Sequence, residues 1–123
     1  MQNLKVSSIY AIRCKSTGKV YIGRSYNPRE RMKQHLLQLK RGENYGSATF
    51  KEDFDKYGSS DFVGYILEEG VVPAKFRERE EFWIREYKAT DPKYGYNKNP
   101  MHAGAYLEIT IGLPPKPIDN VSD

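Results

Sequence analysis

Two tyrosines either side of a short turn, and one glutamate set among apolar residues, are where this chain could do chemistry. Tyr10 closes Ser8-Ile9-Tyr10 and Tyr21 opens Tyr21-Ile22-Gly23. Apolar and polar residues alternate through Val6 to Ile12 and again through Val20 to Ile22. The intervening Lys15-Ser16-Thr17-Gly18-Lys19 has turn chemistry, so the two runs read as one β-hairpin with both tyrosines facing one site. A lone strand tyrosine ordinarily serves packing, because an aromatic ring suits a half-buried pleated surface. The pair gains meaning from what surrounds it.

Asn27-Pro28-Arg29-Glu30 reads as a helix start, with Asn27 as N-cap, Pro28 in the first helical position and Glu30 completing a capping box. Gly42 is placed to end that helix. Met32, Leu36 and Leu39 recur as a core stripe, and Arg31 and His35, one turn apart, form a second stripe beside it. A solvated basic face would account for the second stripe equally well. From Ala74 to Lys88 the residues Phe76, Trp83, Ile84 and Tyr87 recur at helical spacing, with Glu80 in the middle of the stripe at about 40° from Phe76. A carboxylate buried there must meet a cation, accept hydrogen bonds or hold a proton, since an uncompensated one costs several kcal/mol. A buried ion pair with an arginine is the plainest outcome. Glu78 and Glu81 point elsewhere and are expected to be solvated, pairing with Arg77 or Arg85.

Together these residues resemble the GIY-YIG nuclease family over Val6 to Asn97. Ser8-Ile9-Tyr10 stands for the first tripeptide, with Ser8 replacing the usual glycine, and Tyr21-Ile22-Gly23 is the second unchanged. Ser25 follows where a small hydroxyl residue is common. Arg31 and His35 match the helical R-x-x-x-H pair, Glu80 the metal-binding glutamate, and Asn97 the terminal asparagine in Gly95-Tyr96-Asn97. One tripeptide is weak evidence, whereas six matches in order are strong. The likeness is greatest to the homing-endonuclease branch, around Glu80 and the segment ending in Asn97.

The elements that must position these groups follow from the same patterns. Ser47 to Tyr57 is expected to be a second helix, with Phe50, Phe54 and Tyr57 as its core stripe and Gly58 at its end. Asp61 to Glu68 is expected to be a third strand beside the hairpin. The fold class is α+β, a small and mainly antiparallel three-stranded sheet flanked by helices. Residues 1–100 form the nuclease-like domain, and 101–123 form a tail in which Leu113-Pro114-Pro115-Lys116-Pro117 favours an extended conformation.

With 123 residues, one core is feasible. No apolar run approaches the ~20 residues that span a bilayer, and no signal-like block opens the chain, so a cytoplasmic protein is expected, and the resemblance implies that the cell is bacterial or phage-infected. The lone Cys14 permits no internal disulfide and has no neighbouring ligands for zinc. The net charge is +4, yet residues 101–123 carry only Lys116 against Glu108, Asp119 and Asp123, so the basic surplus belongs to the first 100 residues. Arg24, Lys33, Lys40 and Arg41 within it are candidate DNA-phosphate contacts.

The resemblance implies metal-assisted hydrolysis of a DNA phosphodiester. Glu80 would hold one divalent ion per active site, Mg²⁺ with Mn²⁺ as an alternative, because a single carboxylate suits a hard cation that keeps its waters. Arg31 would meet the phosphate from the other side. Tyr10 would take the proton from water, its phenolate favoured by Arg31 or a metal-bound water, while Tyr21 would bond the phosphate or water or exchange roles with Tyr10. His35 would relay the proton or orient a tyrosine. Asn97 would position Glu80 or the site backbone. A free-standing phage or mobile-element (homing-type) endonuclease, monomeric or homodimeric, is the implied role. A restriction or repair nuclease of the same fold, or a DNA-binding module that does not cut, is the alternative.

Overall fold

In the computed structural model, residues 5–44 and 46–98 are described. The expected boundary at residue 100 and the tail at 101–123 lie outside them. The strands are β1 (Ser7–Cys14), β2 (Val20–Ser25) and β3 (Phe62–Val71), and the helices are α1 (Pro28–Lys40), α2 (Ala48–Tyr57) and α3 (Phe76–Glu86). All three strands pair antiparallel in the order β2-β1-β3, so β1 is central. The α+β sheet-and-helix reading holds.

Helices cover both faces of the sheet, and this decides how β1 is buried. Tyr10, Ile12 and Cys14 pack with Leu39 of α1 and with Phe50 and Phe54 of α2. Ile9 and Ala11 pack on the opposite face with Ile84 of α3. Residues 9–12 are therefore buried without a break, as expected of a strand with no solvent-facing side. The alternation read from Val6 to Ile12 gives way there to a continuous apolar run.

Most helix boundaries fall where local chemistry puts them. Asn27 accepts a hydrogen bond from the Glu30 amide at 3.4 Å, and Gly42 and Gly58, at φ 93° and 84°, stand just past α1 and α2. The capping box does not form as expected, since the Asn27 amide donates to Ser25 Oγ at 3.0 Å instead of to Glu30. β3 starts after Asp61 because that carboxylate is occupied in a turn, accepting from the Ser16 amide at 3.0 Å and from Cys14 Sγ at 3.2 Å. α3 is shorter than Ala74 to Lys88. Pro73–Lys75 forms a 3-10 turn ahead of it, and Lys88 leaves the helix at φ 53°. Tyr87, expected on the buried stripe, is 43% exposed at the helix end, whereas Ile84 is buried.

The outer edge of β2 is not left open. Val20 donates to the Tyr94 carbonyl at 3.2 Å and accepts from the Tyr96 amide at 2.8 Å, so residues 94–97 run alongside the strand.

Candidate active site

Strand register brings the two tyrosines onto one face. Tyr10 lies opposite Gly23 and Ile12 opposite Tyr21, so Tyr10 and Tyr21 are diagonal neighbours across β1 and β2. The Tyr10 ring lies over Gly23, and any β-carbon at position 23 would collide with the phenol. A glycine at the end of the second tripeptide is therefore a steric requirement of Tyr10.

α1 supplies the next two groups. Its Asn27 and Pro28 start fixes the phase at which Arg31 and His35 turn toward the sheet, one turn apart. Arg31 donates a hydrogen bond to the Tyr10 hydroxyl. His35 is not on a solvated face. It is 1% exposed, with its ring centroid 4.6 Å from Tyr21 and 6.4 Å from Tyr10. Burial, with Arg31 beside it, pushes its pKa down to about 4, so the imidazole is neutral near pH 7.

The ionisation of Tyr10 departs from the expectation that cations would favour its phenolate. Arg31 does act in that direction, but burial is the larger effect and Glu80 opposes Arg31. The phenol is pushed up to about 12. Tyr10 rests protonated, accepting from Arg31.

Glu80 faces the same region from α3, close enough for its charge to act on Tyr10. Its side chain is 18% exposed, and burial raises its pKa against the opposing pull of Arg24, whose Nε is 3.9 Å from Glu80 Oε1. The expected arginine partner is thus present but stands off. Glu81 pairs with Arg77 at 3.0 Å and Glu78 with Lys75 at 3.3 Å, the latter in place of Arg77 or Arg85. Among the described residues no three His, Cys, Asp or Glu side chains gather as a ligand cluster, so Glu80 is a lone hard oxygen donor.

Asn97 acts on the backbone. Its Oδ1 accepts from the Ile22 amide at 2.8 Å and its Nδ2 donates to the Ile22 carbonyl at 2.9 Å. A side-chain amide thereby replaces a strand partner at the centre of Tyr21-Ile22-Gly23. Beneath Tyr21 runs a stack of rings, with Phe50 at 5.3 Å and Tyr96 a further 4.6 Å on. Tyr96 donates to Asp53 Oδ2 at 2.7 Å, so its second contact, 3.1 Å to Thr17 Oγ1, has Thr17 as donor. Asp53 and Thr17 carry no mark in the sequence motifs. An acid between the core positions Phe50 and Phe54 was the available signal, of the same kind that marked Glu80.

The basic candidates divide. Arg24 is held at the cluster, over the Phe76 ring and beside Glu80. Lys33, Lys40 and Arg41 are exposed, and the structure does not bring them to the cluster. Lys33 and Lys40 project from α1 at about 200° and 180° from Arg31, bordering a groove with Leu37 and Phe54.

Comparison with known proteins bears on the family and the fold. A model of the GIY-YIG catalytic domain matches residues 6–97. Intron-associated endonuclease 1 of Enterobacteria phage T4 is 33% identical over 99 residues, a match that covers 72% of this chain and 39% of the relative's length. Two solved structures, the catalytic domain of homing endonuclease I-TevI and a mutant of the catalytic domain of intron endonuclease I-TevI, superpose with a TM-score of 0.66 at 33% identity. Each match covers 75% of this chain, and they cover 97% and 92% of those chains respectively.

Proposed function

Because the chain belongs to the GIY-YIG catalytic-domain family, we propose that it is a cation-dependent endonuclease hydrolysing DNA phosphodiester bonds, with Tyr10, Tyr21, Arg31, His35 and Glu80 as its reacting cluster. The observation that carries the reading is the convergence on the Tyr10 hydroxyl of Arg31 from α1 and the Glu80 charge from α3.

The residues present fit a divalent cation. Glu80 is a largely buried carboxylate that its nearest cation does not cap, at 3.9 Å. One carboxylate with room for water suits Mg²⁺, and Mn²⁺ by the same chemistry. Held by Glu80, such an ion would supply positive charge to the scissile phosphate and the departing oxygen.

The chain's own groups do the rest. Arg31, already bonded to Tyr10, presents its fork of N–H donors to the non-bridging phosphate oxygens as their charge grows. Tyr10, in its minor ionised form, accepts the proton of the attacking water. Tyr21, held between the His35 and Phe50 rings, donates to the phosphate or to that water. Neutral His35 orients Tyr21 and carries no charge of its own into the step. Asn97 keeps the tripeptide backbone straight beneath both tyrosines. Lys33, Lys40 and Arg41, which the structure does not bring to the cluster, take no part at the scissile phosphate and meet DNA only through more distant phosphates.

A homing-type role in a phage or other mobile element rests on the names of the relatives alone, and the chain spans 39% of the curated one. Incubation of supercoiled plasmid with Mg²⁺, beside an EDTA control and a Glu80→Ala variant, tests the reading. Nicked or linear product only in the Mg²⁺ reaction of the unaltered chain is expected. Intact plasmid throughout, with DNA still retarded on a gel, returns the chain to the non-cleaving alternative.

A further inference from the structure

We infer that Arg24 is the resident counter-cation of Glu80, holding that carboxylate from β2 while weakening its grip on a divalent ion. This positioning role rests on the cation-dependent reading above. Arg24 joins three elements. From β2 its guanidinium lies 4.0 Å over the ring of Phe76, the first residue of α3, and its Nη1 donates to Ser7 Oγ of β1 at 3.2 Å. Its Nε is buried, has no hydrogen-bond partner among the described residues and stands 3.9 Å from Glu80 Oε1.

An unconstrained arginine closes on a carboxylate through two parallel hydrogen bonds and occupies both oxygens. The Phe76 stack and the Ser7 bond hold Arg24 back from that geometry, at a distance longer than a hydrogen bond. Glu80 therefore faces a fixed positive charge, yet its lone pairs are not used up by the guanidinium. A divalent ion arriving at the same carboxylate meets a fixed positive charge within a few ångströms, and the repulsion is strong in a partly buried site. Arg24 thus holds Glu80 in place before the ion arrives, at the expense of affinity for it.

The test separates charge from packing. Arg24→Met keeps an unbranched chain over Phe76 and removes the charge, and Arg24→Lys keeps the charge. Mg²⁺ and Mn²⁺ affinities are measured by isothermal titration calorimetry, beside single-turnover cleavage of plasmid. Arg24→Met is expected to bind either ion about tenfold more tightly and to cleave more slowly, with Arg24→Lys near the unaltered affinity. Loss of a merely structural contact would weaken both properties together. Unchanged or weaker ion binding by Arg24→Met overturns the inference. If no form binds an ion, the cation-dependent reading fails on its own account. The pairing is then judged by a double-mutant cycle of Arg24→Met with Glu80→Gln in urea unfolding. Non-additive midpoints support the counter-cation and additive ones exclude it.

Discussion

At Tyr10 the contest between burial and the Arg31 guanidinium sets how the site responds to pH. Burial wins, and the phenol is pushed up to about 12. A base that is almost wholly protonated at neutral pH gains active form in proportion to hydroxide, so single-turnover cleavage is expected to rise about tenfold per pH unit between pH 7 and 9. Tyr10→Phe removes one oxygen and keeps the ring over Gly23. It should lower the rate by roughly 10²- to 10⁴-fold, flatten the pH profile and change stability by no more than about 1.5 kcal/mol. A Phe variant that retains the slope would clear Tyr10 of the proton transfer. Glu80 sits in the opposite relation to stability. Its folded pKa is raised, so its contribution favours folding at low pH and is lost as pH rises through the raised value. Glu80→Gln carries no charge at any pH. It is expected to unfold at a higher temperature than the unaltered chain at pH 7 while cleaving nothing. A lower melting temperature would mean that the carboxylate is held by a structural ion pair worth more than its burial costs.

The hairpin is the element on which the site depends most closely, because the register that pairs Tyr10 with Gly23 also sets Tyr21 on the same face. Gly23→Ala leaves the strand's hydrogen bonds available but puts a methyl group where the phenol lies. Overpacking of this kind costs about 1–3 kcal/mol. Here the ring must also swing away from Arg31, so cleavage is expected to fall as far as in Tyr10→Phe. Thermal unfolding and single-turnover rates measured together check both parts, and near-normal cleavage would show that Tyr10 works from more than one position. The hairpin, α1 and α2 were legible because their signals are local: a turn-rich pentapeptide, Asn27 before Pro28, and glycines past two apolar stripes. α3 was legible in its stripe and less so in its ends. Lys88 adopts a left-handed conformation that its type does not announce, and the exposure of Tyr87 follows from where the helix stops.

Across the whole molecule, the packing of α1 and α2 on the Tyr10 face of the sheet buries His35 beside Arg31, and this predicts acid sensitivity. The folded pKa of His35 is lowered to about 4 from an ordinary 6.5. Its contribution to stability is therefore fully present above pH 6.5 and is lost as pH falls from there toward 4. The loss amounts to about 3.5 kcal/mol at most, because each tenfold change in proton affinity between the folded and unfolded chain is worth about 1.4 kcal/mol. Glu80 acts oppositely in part of this window, so the effect is read as the difference in urea midpoint between the unaltered chain and His35→Gln, from pH 7 to pH 4.5. A difference that does not change with pH would mean that the imidazole is free to protonate in the folded state. By its own pattern the sequence determined that a hairpin, two capped helices and an acid-bearing amphipathic helix exist, because periodicity, turn chemistry and caps are written within a few residues of where they act. It also pointed to the candidate reacting residues by their order along the chain. What only the tertiary structure decided is how those groups meet: the withdrawal of His35 from solvent, the protonated state of Tyr10, the stand-off of Arg24 from Glu80 and the use of Asn97 as a strand partner for Ile22. Each depends on distances between elements far apart in the chain, and on burial by neighbours that no local window contains.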